Sequence, residues 1–221
     1  MSTEPVHTAW TWRHALAVPA FVRALILALA AGLVLVLSLP HFFQWIEGRP
    51  GTSMHDPVLN TLGPWQVSIP TFTVLYGCLL VVLVTIARLP LRILHGLCAY
   101  ILMMLLRMVA MATITLEPPS DIIPLIDPLT QAFYPGNAPF LKDLFFSGHT
   151  ATLVLMALLA PKGAIRLFAW ICAAMVGTLV LVQHVHWTVD VLVAVPAAWL
   201  AWKSAGILVR KWVPLPSVGG A

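Results

Sequence analysis

Residues 165–210 read IRLFAWICAAMVGTLVLV, then QHVHWTVD, then VLVAVPAAWLAWKSAGILVR. Each apolar run is close to the ~20 residues that cross a bilayer as a helix. A single helix over the whole stretch would overrun the membrane, so the pattern predicts two spans that turn back at the polar island 183–190. An ionisable side chain at the edge of an apolar run is costly and marks a functional site by default. His186 and Asp190 are two such groups. A second island, Ser147-Gly148-His149-Thr150, opens the preceding apolar run.

Working outward, composition sets the class. Hydrophobic residues make up 60% of the 221, charged residues 9%, and the mean hydropathy is +0.94. Soluble domains carry about a quarter charged residues, so the chain reads as an all-α, polytopic integral membrane protein. Six transmembrane helices are predicted, at about 21–43, 68–87, 92–114, 143–160, 165–186 and 188–209. Residues 1–20, with Trp10, Trp12, Arg13 and His14, read as an interfacial arm rather than a signal peptide. The six-span catalytic domain covers 21–210, and 211–221 is a tail. Cys78, Cys98 and Cys172 fall in apolar runs at no metal-ligand spacing and read as small core residues. Trp10, Trp12, Trp45, Trp65, Trp187 and Trp212 lie near span ends, as an aromatic belt would place them.

The net charge of +4 does not form a nucleic-acid patch, because the cations are scattered singly. They sort by side instead. With a cytoplasmic N-terminus, Arg13, Arg23, Arg88, Arg92, Lys162, Arg166, Lys203, Arg210 and Lys211 fall inside, and only Arg49 and Lys142 outside. The positive-inside rule then puts both polar islands on the extracytoplasmic face, periplasmic in a bacterial inner membrane. The stretch 115–142, with six prolines and many apolar residues, reads as a loop at the interface or over a cavity.

The islands suit phosphoryl chemistry. His186 and Asp190, four apart, share a helix face or meet across a tight turn, and a carboxylate on one imidazole nitrogen leaves the other free as nucleophile or base. Asp190 falls in the first turn of the last span if Thr188 caps it. Ser147 is a candidate N-cap, Gly148 admits close approach of a ligand, and the free amides around Thr150 form an anion site. His149 then projects from the first turn as a general acid or base. The simpler readings are a self-satisfied polar hairpin and an ordinary capped helix; their occurrence on one membrane face argues against both. Arg107, inside the third span, binds phosphate or pairs with an acid such as Glu117 or Asp143. Asp143 either orients His149 or caps the helix start.

These residues carry a resemblance. Asp143-Leu-Phe-Phe-Ser147-Gly148-His149-Thr150 is similar to the D-x3-S-G-H-T motif of sphingomyelin synthases. His186-Trp187-Thr188-Val189-Asp190-Val191-Leu192-Val193-Ala194 is similar to their H-[YF]-[ST]-x-D-V-x-x-A motif, with Trp187 in the aromatic position. Arg107-x3-Met111-x3-Thr115-Leu116-x-Pro118 resembles a third segment of the family. Both groups belong to the phosphatidic acid phosphatase type 2 superfamily, and this chain resembles a minimal, bacterial-type member. The K-x6-R-P segment of the phosphomonoesterase branch is missing.

The resemblance implies a lipid phosphotransferase with His149, His186 and Asp190 catalytic, and Ser147, Gly148, Thr150, Asp143, Arg107 and Glu117 around the substrate. It moves a phosphocholine or phosphoethanolamine group from a phospholipid, through a phosphohistidine, to a lipid hydroxyl such as ceramide or diacylglycerol, or to water. No metal or other cofactor is expected. Two other classes remain: a phosphatase acting on phosphatidic acid or isoprenyl phosphates, and a non-catalytic transporter or lipid-binding protein. Against the last, no inverted repeat is present.

Overall fold

The computed structural model describes residues 10–127 and 140–213. Most of the interfacial arm's first half (1–9), the centre of the proline-rich loop (128–139) and the tail beyond 213 lie outside the described residues. The order is α1 (Trp12–Ala17), α2 (Pro19–Glu47), a single 3-10 turn (Leu59–Thr61), α3 (Ser68–Ile86), α4 (Pro90–Thr113), α5 (Gly148–Leu159), α6 (Ala164–Val182) and α7 (Thr188–Trp212). The chain is all-α. Five helices (α2, α3, α4, α6 and α7) are long and apolar enough to cross a membrane.

Punctuation explains the boundaries. Pro19 and Pro90 sit in the first turns of α2 and α4, where a missing N–H costs nothing. Gly163, which precedes α6, has φ +105, a backbone region open to glycine and strained for other residues. The lipid-facing side of α2 exposes Leu27, Leu29, Leu33, Val34 and Leu37, as a helix with hydrocarbon as its solvent should.

The predicted fourth span is the one that differs. It begins as a helix only at Gly148 and ends at Leu159, 12 residues, or about 18 Å at the α-helical rise. Residues 143–147 stay irregular because Arg107 of α4 draws on their carbonyls: Nε donates to Phe146 O at 2.8 Å and Nη2 to Asp143 O at 3.3 Å. Carbonyls satisfied by a side chain have no need of a helical ladder. At its other end α5 is closed by cations. Arg92 Nη1 donates to Leu159 O at 3.2 Å, and Arg166 Nε and Nη2 to Ala160 O at 3.0 and 2.7 Å. This complements the negative end of the helix dipole. α5 occupies the middle of the bundle, packed by α3, α4, α6 and α7, with Ala151, Leu153, Leu155 and Ala157 fully buried.

At the opposite end the connecting segments lock together. Thr52 N donates to Thr115 O and Glu117 N to Thr52 O, each at 3.0 Å. A Cβ at Gly51 would lie 2.7 Å from the Leu116 carbonyl carbon, so this close crossing requires glycine. Gln183, fully buried, is a hub. Its Oε1 accepts from Val67 N at 3.0 Å, and its Nε2 reaches Ser68 Oγ at 2.9 Å and the carbonyls of Ile123 and Pro124 at 3.2 and 3.1 Å. His184 (φ +56) touches Asp121 Oδ1 and Leu62 O, both at 2.9 Å.

Candidate active site

The α6–α7 turn delivers His186 and Asp190. α7 starts at Thr188, and the residue that caps it is Trp187 rather than Thr188. Asp190, third in the helix, folds its carboxylate back, and Oδ2 accepts from Trp187 N at 3.1 Å. The same oxygen lies 3.3 Å from His186 Nδ1. His186 and Asp190 are 2% and 0% exposed, so this pair is shielded from water. Nδ1 is held, and Nε2 is the nitrogen left for a ligand.

α5 delivers the second imidazole. Ser147 caps it, with Oγ accepting from Thr150 N at 3.4 Å and Thr150 Oγ1 at 3.1 Å. His149 follows in the first turn, its ring centroid 6.3 Å from that of His186 at an interplanar angle of 61°. Phe72 of α3 presses on the His149 ring edge-on at 5.6 Å. The two islands are also joined through backbone, because Ser147 N donates to Asp190 O at 3.0 Å. His149 Nδ1 and Asp190 Oδ1 are buried with no hydrogen-bond partner among the described residues. Two buried orphan atoms within one small site are what a centre built to take a ligand displays.

Arg107, 3% exposed, lies behind this pair. Its Nη2 meets Asp143 Oδ1 at 2.6 Å. The guanidinium packs flat on Gly148: a Cβ there would stand 3.0 Å from Cζ and 3.2 Å from Nη1. So the Gly148 hydrogen makes room for a cation, and that cation faces the N-terminus of α5. Neither role read for Asp143 is the one seen: Ser147 caps the helix, and the Asp143 carboxylate contacts Arg107, as one of the two acids considered for that arginine. Glu117 is elsewhere. Its Oε1 accepts from Lys142 Nζ at 2.7 Å and Gly51 N at 2.8 Å, which makes it a clamp between loops. The Lys142 hydrogen bond, with help from Gly51 N, holds the Glu117 carboxyl below the usual carboxylate range.

One expectation is corrected and one further residue is added. Trp10 and Trp187 are not part of an interfacial belt: both are buried, and Trp187 Nε1 donates to Glu117 O at 3.0 Å. The α7 start has an additional anchor that sequence reasoning missed. Asp56 Oδ2 accepts from Thr188 N at 2.6 Å and Oδ1 from Thr188 Oγ1 at 3.0 Å, while Oδ1 also takes Val58 N and Leu59 N. Burial works to raise the Asp56 carboxyl, yet these hydrogen bonds prevail and hold it below its ordinary range. Only the turn His55-Asp56-Pro57 signals it in the sequence, and nothing there names a partner 132 residues away.

Among the described residues no group of three or more His, Cys, Asp or Glu is placed to hold a metal ion. The site therefore offers two neighbouring imidazoles, one backed by a buried carboxylate, with a guanidinium at a helix N-terminus. No curated protein matches the chain. Residues 142–206 match the family described as PAP2 superfamily C-terminal, a stretch that holds Ser147, His149, His186 and Asp190 together.

Proposed function

We propose that the protein is a membrane lipid phosphotransferase that works through a phosphohistidine. The observation that carries this reading is the pair of imidazoles set edge-to-face with centroids 6.3 Å apart, one of them backed by a buried carboxylate. The match of residues 142–206 to a superfamily of lipid phosphatases and phosphotransferases supports the reaction class. Nε2 of His186 attacks the phosphorus of a phospholipid headgroup diester and forms a P–N bond. The P–O bond to diacylglycerol breaks, and His149 gives its proton to the departing oxygen. The hydroxyl of an acceptor lipid then attacks phosphorus, His149 takes its proton, and the P–N bond breaks. Asp190 holds the His186 tautomer and stabilises positive charge on the ring. Arg107 and the amides opening α5 bind the phosphoryl oxygens.

The near-complete burial of His186 favours a lipid hydroxyl, such as that of ceramide or diacylglycerol, over water as acceptor. A single arginine also suits the one negative charge of a diester better than a dianionic monoester. By the positive-inside rule the site faces the extracytoplasmic side, the periplasm if the membrane is a bacterial inner membrane. Residues 10–18, ahead of α2, serve as an interfacial arm to the bundle.

The test is purified protein in vesicles of labelled phosphatidylcholine or phosphatidylethanolamine, with and without ceramide, against phosphatidic acid, with all products identified by mass. Diacylglycerol release and headgroup retained on trapped His186 are expected, insensitive to chelator. Turnover of phosphatidic acid alone, leaving bare phosphate on His186, would establish the phosphomonoesterase instead.

A further inference from the structure

We infer that His184 is a positioning residue for His186: its imidazole carries both ring protons and fastens the turn that bears His186 to two outer segments at once. Its effect on rate rests on the phosphoryl chemistry proposed above; its charge does not. His184 lies in the 183–190 island but matches neither motif, and the chemistry does not use it. Its ring is 2% exposed and sits between two acceptors, Asp121 Oδ1 at Nδ1 and Leu62 O at Nε2, both at 2.9 Å.

A carbonyl oxygen has no proton to give. The His184 hydrogen bond holds the Asp121 carboxyl below the usual carboxylate range, so that group brings none either. A neutral imidazole has one N–H and one bare nitrogen, which on one side would set a lone pair against an oxygen. Both contacts are made only by a ring with two N–H groups, an imidazolium. The Asp121 carboxylate, its side chain 53% exposed, balances that charge. Other ionisable groups on the segments packed against the ring are engaged elsewhere. Glu117 meets Lys142, Asp127 meets Tyr76, and Arg49 Nη1 donates to Ala112 O. His55 meets Asn60 Nδ2 at 3.1 Å, Asp56 meets Thr188, and His186 and Asp190 meet each other.

Placement gives the ring its use. The loop 56–62 grips both flanks of His186. Two residues before it, Leu62 O takes the His184 ring; two residues after it, the Asp56 carboxylate takes Thr188 N and Oγ1. The loop is closed on itself, with Asn60 N donating to Asp56 O at 3.1 Å and Leu62 N to Leu59 O at 3.0 Å, so the two grips move as one. His184 also takes a left-handed backbone, φ +56, which a residue with a Cβ keeps only where its surroundings hold it. The ring contacts supply that hold beside the Gln183 network. Loss of one lets the turn relax and swings the His186 ring away from the line of attack on phosphorus.

Two changes at Asp121 separate charge from contact. In Asp121→Asn the side-chain amide can donate to Nδ1, so a neutral ring with its proton on Nε2 keeps both contacts. Asp121→Ala removes one contact at an exposed position that folding tolerates. Full-length protein with nitrogen-15 in its histidine rings is studied by NMR in lipid nanodiscs at neutral pH. The His184 signals are identified through the bond to Gln183, the one Gln-His pair in the sequence. Two protonated ring nitrogens are expected in the wild type and one, Nε2, in Asp121→Asn. A single N–H in the wild type would overturn the imidazolium. For position, kcat should fall about tenfold in Asp121→Ala with KM little changed, and Asp121→Asn should restore it. Wild-type kcat in Asp121→Ala, or no rescue by Asp121→Asn, would overturn the positioning role. Turnover of phosphatidic acid alone, with the same response to both changes, would sink the diester reading and leave the role of His184 standing.

Discussion

Asp190 Oδ2 serves two donors at once, the Trp187 amide and the His186 ring. Asp190→Asn keeps one carbonyl oxygen for the amide but can turn its amide nitrogen on Nδ1, which fixes the wrong tautomer. Turnover should fall by about 10³–10⁴-fold, while the yield of folded protein stays near that of wild type; steady-state kinetics beside a thermal melt checks both. Activity retained in His186→Ala would exclude the covalent route. Arg107→Ala is expected to act differently. It leaves the buried Phe146 carbonyl without its donor and takes the partner from the part-exposed Asp143 carboxylate, at about 1–3 kcal/mol, and should lower stability together with rate. The His186–Asp190 contact was legible beforehand because residues four apart can meet along a helix or across a tight turn, and it is the turn into α7 that joins them. Which acid Arg107 meets was not legible, since Glu117 and Asp143 are both compatible with the sequence and only the crossing of α4 with the irregular 143–147 segment decides.

The start of α7 depends on a loop far away in sequence. Asp56→Ala should cost about 1–2 kcal/mol, as loss of a helix-end acceptor does, and lower the Tm by about 4 °C. The contribution also has a direction in pH. Asp56 and Glu117 both titrate below their ordinary ranges, so the stability they confer is present above the unfolded carboxylate value, near 4, and is lost as pH falls through the folded value. A Tm profile should therefore decline below about pH 4, and less steeply in Asp56→Asn. At this scale apolar run length located five long helices to within a few residues of their ends. It failed for α5, whose N-terminal residues are apolar enough for a span but are claimed by a side chain on another helix. Hydropathy records what a segment would like to bury and carries no trace of such claims.

The whole bundle is polarised. Nine cations lie on one side of the predicted topology and two on the other, which allows a direct check of sidedness. Cys78, Cys98 and Cys172 are buried, so single exposed cysteines stand out in a background lacking them. Ser53→Cys should react with an impermeant thiol reagent added to intact cells, and Ala164→Cys only after permeabilisation; the reverse order would move the chemistry to the cytoplasm. The shortness of α5 has a further consequence. Its cation-capped end sits at the basic rim, so its 12 residues put the imidazoles about 18 Å up from that rim, short of a hydrocarbon core ~30 Å thick. If the proposed headgroup transfer is the reaction, the headgroup has to sink beneath its usual floating level to be cut, and the depth of that descent is set by the bilayer rather than the enzyme. Short-chain lipids, whose surface lies lower, should be processed faster than long-chain ones of identical headgroup, so membrane thickness becomes a throttle on the reaction.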